Sequence, residues 1–289
     1  MRYKGTIIRP PSEAESYLLQ VTEGCTHNAC AFCATYLDKP FRLRPMKEVL
    51  EDIATAGAII PETLRVFLCD GNAMVLATEK LLAILEALRK AFPDLQRVGL
   101  YANARDILRK SESELQELSR RRLQIVYLGL ESGSDRVLDR AQKGATAAEI
   151  VEAVQKAQRN GIKASVIAIL GLGGREGSEE HAVETARAVS RMNPRFFSLL
   201  TLMLVPGTPL YEEERSGRFT LSDPMEMLRE MRRMVELMET PGTIFRSNHA
   251  SNYAPIAGRF NRDRQRILDE LDCFLTGDSS LRPEIFRGL

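Results

Sequence analysis

From Ser16 to about Glu239, short runs rich in Leu, Val and Ile alternate with longer amphipathic stretches. The runs 17–23, 64–69, 97–102, 124–131, 163–170 and 196–204 have the length and apolar content of strands. Between them, segments 46–56, 78–92, 111–121, 145–161, 179–192 and 224–238 space apolar side chains three and four positions apart, giving each one buried stripe as a helix. Punctuation agrees: Thr78 precedes a helix with Glu79, Asn160-Gly161 closes another, and Pro224 opens the last. Near-continuous apolar strands joined by crossover helices predict a parallel sheet covered by helices. Six such units make either an open doubly wound sheet or an incomplete (β/α) barrel. In both, chemistry belongs at the carboxyl ends of the strands. The rhythm breaks near residue 240, which divides the chain into an N-terminal extension (1–15), an α/β core (16–240) and a C-terminal segment (241–289).

Length and charge narrow the class. A chain of 289 residues buries roughly 75% of its unfolded surface, and 44% apolar with 27% charged residues describes an ordinary globular protein. Forty Lys plus Arg against 39 Asp plus Glu leave a net charge of +1, so overall charge would not hold the protein on nucleic acid. No apolar run approaches the roughly 18 residues of a membrane span. The start, MRYKGTIIRPPSEAES, carries no hydrophobic signal region, so a cytoplasmic protein is expected.

Cysteine usage changes the picture most. Three of the five cysteines, Cys25, Cys30 and Cys33, lie in GCTHNACAFC directly after the first predicted strand, spaced C-x4-C-x2-C. Three thiolates on one loop can meet at a metal centre, and soft sulfur selects zinc or an iron–sulfur cluster. A zinc site needs a fourth ligand; His27 is in the loop, while Cys69 and Cys273 are distant. A four-iron cluster held by three cysteines instead leaves one iron open to a small molecule. Three buried, unliganded thiols are the bland alternative.

On these residues the chain resembles the radical S-adenosylmethionine (radical SAM) enzymes. The loop after the first strand, with aromatic Phe32 before its last cysteine, carries the likeness, as do LLQVTEGCTHNACAFC, GLESGSDRVL and LMLVPGTPLY. In layout it is similar to the coproporphyrinogen-oxidase-like and methylthiotransferase-like groups. The commonest family spacing is C-x3-C-x2-C; here the first gap is one residue longer. The resemblance implies a partial (β/α)6 TIM-like barrel with a C-terminal capping segment, a [4Fe-4S] cluster on Cys25, Cys30 and Cys33, and bound S-adenosylmethionine.

It also implies cofactor contacts, strand by strand. Asp70-Gly71-Asn72 stands where the family has Gly-Gly-Glu for the methionine ammonium. Asn103, with Tyr101, ends the third strand; Glu131 and Ser132 end the fourth, where polar groups meet ribose and carboxylate. Glu131 in an apolar strand requires a ligand or a buried Arg, whereas Ser134 and Asp135 suit a helix N-cap. Gly171 opens the loop whose backbone approaches adenine, with Leu204 and Val205 against the ring.

The implied reaction is reductive cleavage of S-adenosylmethionine to methionine and a 5′-deoxyadenosyl radical, followed by hydrogen abstraction from a substrate. An electron donor such as flavodoxin or ferredoxin would be a partner; a membrane or nucleic acid is not expected. Cleavage at another S–C bond, or a non-catalytic zinc or electron-transfer module, are the alternatives. The segment 242–268 holds five Arg against one Asp, which suggests a polar or anionic small-molecule or peptide substrate. His249, Asn252 and Tyr253 are the candidate catalytic residues there, with Arg246 and Asn248 nearby. His27 reads as a loop residue, His181 as a surface residue, and Arg42 and Arg44 as solvated or cluster-facing cations.

Overall fold

The computed structural model describes residues 2–288. Its strands run in the order β1-β4-β5-β6-β7-β8-β9-β10, mostly parallel, with a separate two-stranded β2-β3 ribbon. This is the α/β, partial-barrel architecture expected from the sequence. The described residues form two compact units: 2–28, 35–128 and 155–164 make the first; 29–34, 129–154 and 165–288 the second.

In the first unit, β1 (Tyr17–Gln20) pairs in parallel with β4 (Arg65–Cys69), and β4 with β5 (Arg97–Tyr101). β5 pairs with β6 (Leu123–Glu131), whose last three residues belong to the second unit. The ribbon joins β2 (Thr22–Glu23) to β3 (Arg42–Leu43) and brackets the cysteine loop. Helices α1 (Met46–Ile59), α2 (Thr78–Ala91), α3 (Ala104–Arg109) and α4 (Glu112–Arg120) complete this unit. Thr78 is the first helical residue rather than a cap, and its hydroxyl donates to Glu114 at 2.5 Å. Below Tyr127, the buried Glu13 carboxylate accepts from Arg97 (2.7 Å), Ser16 and the Tyr127 phenol.

The second unit contains α5 (Asp135–Arg140), β7 (Lys163–Leu170), α7 (Gly174–Met192), β8 (Phe196–Thr201), α8 (Pro209–Arg215) and α9 (Pro224–Leu237). The helix α6 (Ala147–Arg159) and the first residues of β7 straddle the boundary. Asp223 caps α9 in a capping box with Glu226, ahead of Pro224. The segment after 240 supplies β9 (Ile244–Ser247), parallel to β8, β10 (Ile256–Arg259), antiparallel to β9, and α10 (Phe260–Thr276). These two short strands escape the hydrophobic pattern because polar residues dominate 246–253.

Candidate active site

The cysteine loop grows out of β2 and is tied at its root to the end of β4. Asp70 follows the last residue of β4 and is fully buried, with left-handed φ of 73°. Its Oδ2 accepts from Gly24 N (3.0 Å) and Gln20 Nε2 (2.9 Å), and pairs with Lys39 Nζ at 2.7 Å. Oδ1 is buried without a hydrogen-bond partner among the described residues. Gly71 N donates back to Gly24 O at 3.1 Å. A Cβ on Gly71 would stand 2.7 Å from Cys25 Cβ, so only glycine lets Cys25 take this position. Asn72, also fully buried, donates to Thr26 Oγ1 (2.9 Å) and Asp106 (2.6 Å) and accepts from Asn103 N (3.2 Å). Asn103 Nδ2 donates to the same Thr26 hydroxyl at 3.0 Å.

Three residues expected at the cofactor make these bonds. The side chains of Asp70, Asn72 and Asn103 are engaged in fixing the residues on either side of Cys25. Sequence reading missed Thr26, Lys39 and Asp106, which become partners only through folding. Arg44 is likewise corrected: it is buried, bonded to Gln20 O (2.8 Å) and Asp52 (2.9 Å). A buried guanidinium requires such a partner. Arg42 is exposed.

Cys30 and Cys33 lie in the second unit, where Cys33 N donates to Cys30 O at 3.1 Å. Ala31 is buried and bonded both ways, donating to Ala141 O and accepting from Leu210 N, each at 2.9 Å. Phe32 and Leu204 pack on the apolar cluster of Ala31, Val137, Leu172, Leu202 and Phe219. Val205, past the end of β8, accepts from Thr208. No disulfide joins any of the five cysteines; the three loop cysteines are partly exposed. By contrast, burial and the neighbouring Asp70 push the Cys69 thiol up to about 12, which makes it a poor thiolate ligand. Among the described residues, no three His, Cys, Asp or Glu side chains are gathered tightly enough for a single metal ion.

Glu131 repeats the Asp70 arrangement at the end of β6. It has left-handed φ of 62° and pairs with Lys143 at 2.7 Å; the expected partner of this buried carboxylate was an Arg or a ligand. A Cβ on Gly129 would meet the Glu131 carboxylate and the Lys143 ammonium, so a larger residue there would displace this pair. Asp70 and Glu131 are thus two buried non-glycine residues in left-handed backbone, each at a strand's carboxyl end. Ser134 caps α5 as expected, and Asp135 accepts from Ala147 N at 2.8 Å. Ser132 is turned inward, its Oγ 2.7 Å from His181 Nδ1. His181 is fully buried, not on the surface, because Ser132 and Ile169 O supply partners for both ring nitrogens. Gly171, with φ of 81°, donates to Glu230 at 2.7 Å.

The C-terminal candidates serve the fold. Fully buried Asn252 accepts from Thr201 Oγ1 and donates to Leu199 O, both at 2.8 Å, pinning the segment to β8. Tyr253 donates to Glu284 (2.8 Å) beneath the Arg287 guanidinium, 4.0 Å from its ring centre. His249 bonds Ser251, and burial with the nearby Arg282 charge lowers its pKa, keeping the ring neutral at pH 7. Arg246 lies over the Phe196 ring, Asn248 is exposed, and Arg264 donates to the carbonyls of Val235 and Glu236. Asn252→Ala should therefore cost about 2–3 kcal/mol by orphaning buried partners. Calorimetry should show a midpoint several degrees lower, whereas Tyr253→Phe should move it little.

A family description, the Radical SAM superfamily, matches residues 19–189. The chain belongs to the radical SAM superfamily. Solved structures agree on the fold. A radical S-adenosylmethionine methyltransferase, TsrM from Kitasatospora setae, with cobalamin and a [4Fe-4S] cluster, matches at TM-score 0.57 and 20% identity over 70% of this chain and 39% of that one. Methylornithine synthase (PylB) matches at 0.55 and 15% over 93% and 74%. Coproporphyrinogen III oxidase (HemN) from Escherichia coli, a radical SAM enzyme, matches at 0.56 and 14% over 76% and 51%. This radical SAM chain thus spans well under half of the TsrM chain. No curated protein matches its sequence. No helix among the described residues is long and apolar enough to cross a membrane.

Proposed function

We propose that this radical SAM enzyme holds a [4Fe-4S] cluster on Cys25, Cys30 and Cys33 and uses it to cleave S-adenosylmethionine reductively. The observation that carries the reading is the anchoring of Cys25: Gly71 clears space for it, while Asp70 and Asn72 fix the residues on both sides. Such investment in one thiol suits a ligand and is needless for an incidental cysteine.

When bound, the cluster would supply the electron that breaks the S–C5′ bond, giving methionine and a 5′-deoxyadenosyl radical that abstracts a substrate hydrogen. The protein binds, orients and excludes water. Phe32 and Leu204 offer an apolar surface beside the loop. Glu131, held by Lys143, presents a fixed carboxylate for hydroxyl donors such as ribose. The substrate remains read as polar or anionic, but not through Asn252 or Tyr253, which are internally bonded. Flavodoxin or ferredoxin would suit as electron donor.

Anaerobic reconstitution tests this. About four irons per chain, a broad visible absorption and dithionite-dependent 5′-deoxyadenosine are expected. A colourless zinc protein would overturn the reading, and methylthioadenosine as product would shift it to cleavage of another bond.

A further inference from the structure

Behind the ends of β6 and β7 lies a buried pair of ionisable side chains that the cleavage reaction does not itself use. His181, from α7, and Glu230, from α9, are fully buried, with His181 Nε2 3.5 Å from Glu230 Oε1. Ile169 O, 3.0 Å from Nε2, can only accept, so Nε2 carries hydrogen. On the ring's other side Nδ1 meets the Ser132 hydroxyl, which also accepts from Ser134 N at 3.0 Å. Glu230 accepts from Gly171 N through Oε1 (2.7 Å) and from Ser178 through Oε2 (2.5 Å). Thr185 completes the group, accepting from Gly133 N at 2.9 Å.

The backbone explains why these side chains are there. Leu170 O bonds Leu202 N on the β8 side, so by strand alternation Ile169 O and Gly171 N point away from β8. Left unpaired, two buried backbone groups would be costly. His181 and Glu230 take the place of ladder partners at the point where β7 ends and Gly171 turns left-handed. The same histidine reaches Ser132, one residue past Glu131. One buried pair therefore sets both strand ends that carry Glu131 and Gly171.

Satisfying these two backbone groups does not by itself call for a carboxylate, since a neutral amide side chain can also donate and accept. Burying a carboxylate is expensive and pushes its pKa up. What an apolar replacement could not do is hold the Gly171 amide, the Ile169 carbonyl and the Ser132 hydroxyl in one register.

We propose that His181 and Glu230 are positioning residues that fix the adenosine-facing ends of β6 and β7 and so set affinity for S-adenosylmethionine. This rests on the functional reading above. The sequence would not suggest it, since His181 sits on an amphipathic helix and Glu230 in a Met-rich one.

The test uses the anaerobically reconstituted holoenzyme, with S-adenosylmethionine and S-adenosylhomocysteine as probes in equilibrium dialysis and iron assayed in parallel. His181→Ala and Glu230→Ala should weaken both ligands about 10–100-fold, the loss of one charge-assisted hydrogen bond. Iron should stay at the wild-type level. His181→Gln, whose amide can still donate to Ile169 O, should recover most of the affinity. If the alanine variants do not fold, Ser178→Ala decides, since it removes one donor to Glu230; a loss of about 3–10-fold is expected. Unchanged affinity for both ligands in Ser178→Ala and in folded Glu230→Ala overturns the proposal. So does iron lost in step with ligand. A wild-type holoenzyme that holds iron yet binds neither ligand overturns the functional reading instead, and is recognised before any variant is made.

Discussion

Replacing Cys25, Cys30 or Cys33 singly with Ala is expected to leave fewer than about one iron per chain after reconstitution and to reduce 5′-deoxyadenosine release by more than about 10³-fold. The protein itself should stay folded. None of the three thiols is in the buried core, and the loop is held by other residues: Gly24 by Asp70, Thr26 by Asn72 and Asn103, Ala31 by Ala141 and Leu210. Cys69→Ala and Cys273→Ala serve as the contrast. Cys69 is buried and held as a neutral thiol, and Cys273 is exposed on α10, so both variants should load iron like the wild type. Iron assay and calorimetry on all five variants check this. Full iron retention in any loop variant would remove that residue from the ligand set, and equal loss in Cys69→Ala would redraw the set.

How much of this was legible beforehand follows from the range over which each signal acts. The six core strands and six of the helices were readable because hydrophobic period is a local property imposed by burial. The cysteine loop was readable because its three thiols are close in sequence. The missing elements fail for equally physical reasons. β9 and β10 carry Arg246, Ser247 and Arg259, so no alternation of apolar residues announces them; the buried positions are Phe245, the polar Ser247 and Ile256. For the polar residues of the site, the sequence shows type but not partners. Asn72 was expected as a cofactor contact and Asn252 as a catalytic candidate; both are fully buried with side-chain or backbone partners. Whether a partner is a ligand or another side chain depends on contacts between positions tens of residues apart, and a single sequence does not display these. Lys143 illustrates the point: it sits twelve residues from Glu131 in an unremarkable AQKGAT stretch. His181 illustrates it in reverse, because helical spacing gave its position but not the burial of its face.

Gly71→Ala is the sharpest test of the anchoring argument, because it leaves every ligand and every hydrogen-bonding side chain in place. Gly71 does not need positive φ, so backbone strain is not the issue; space is. The added methyl would lie 2.7 Å from Cys25 Cβ, 2.8 Å from Cys25 Cα and 3.0 Å from the Tyr36 ring. Contacts that short to backbone cannot be relieved by a rotamer change, so the strand end or the cysteine loop must move. Tyr36 is buried and cannot yield freely, and the β4 end is fixed through Asp70 and Asn72. The loop is the element that gives. Overpacking of this kind costs about 1–3 kcal/mol, which a chain of this size should survive. The effect on chemistry should be larger than on stability: a ligand displaced by about 1 Å loses roughly 10²-fold in rate, with iron content falling by half or more. Gly71→Ala should therefore unfold within a few degrees of the wild type while failing to hold its cluster. A variant that loads iron fully and cleaves S-adenosylmethionine at the wild-type rate would show that Cys25 is not held where the Asp70-Gly71-Asn72 turn puts it. The opposite outcome, lost iron in a folded chain, would show that this turn builds the cysteine loop for its cluster.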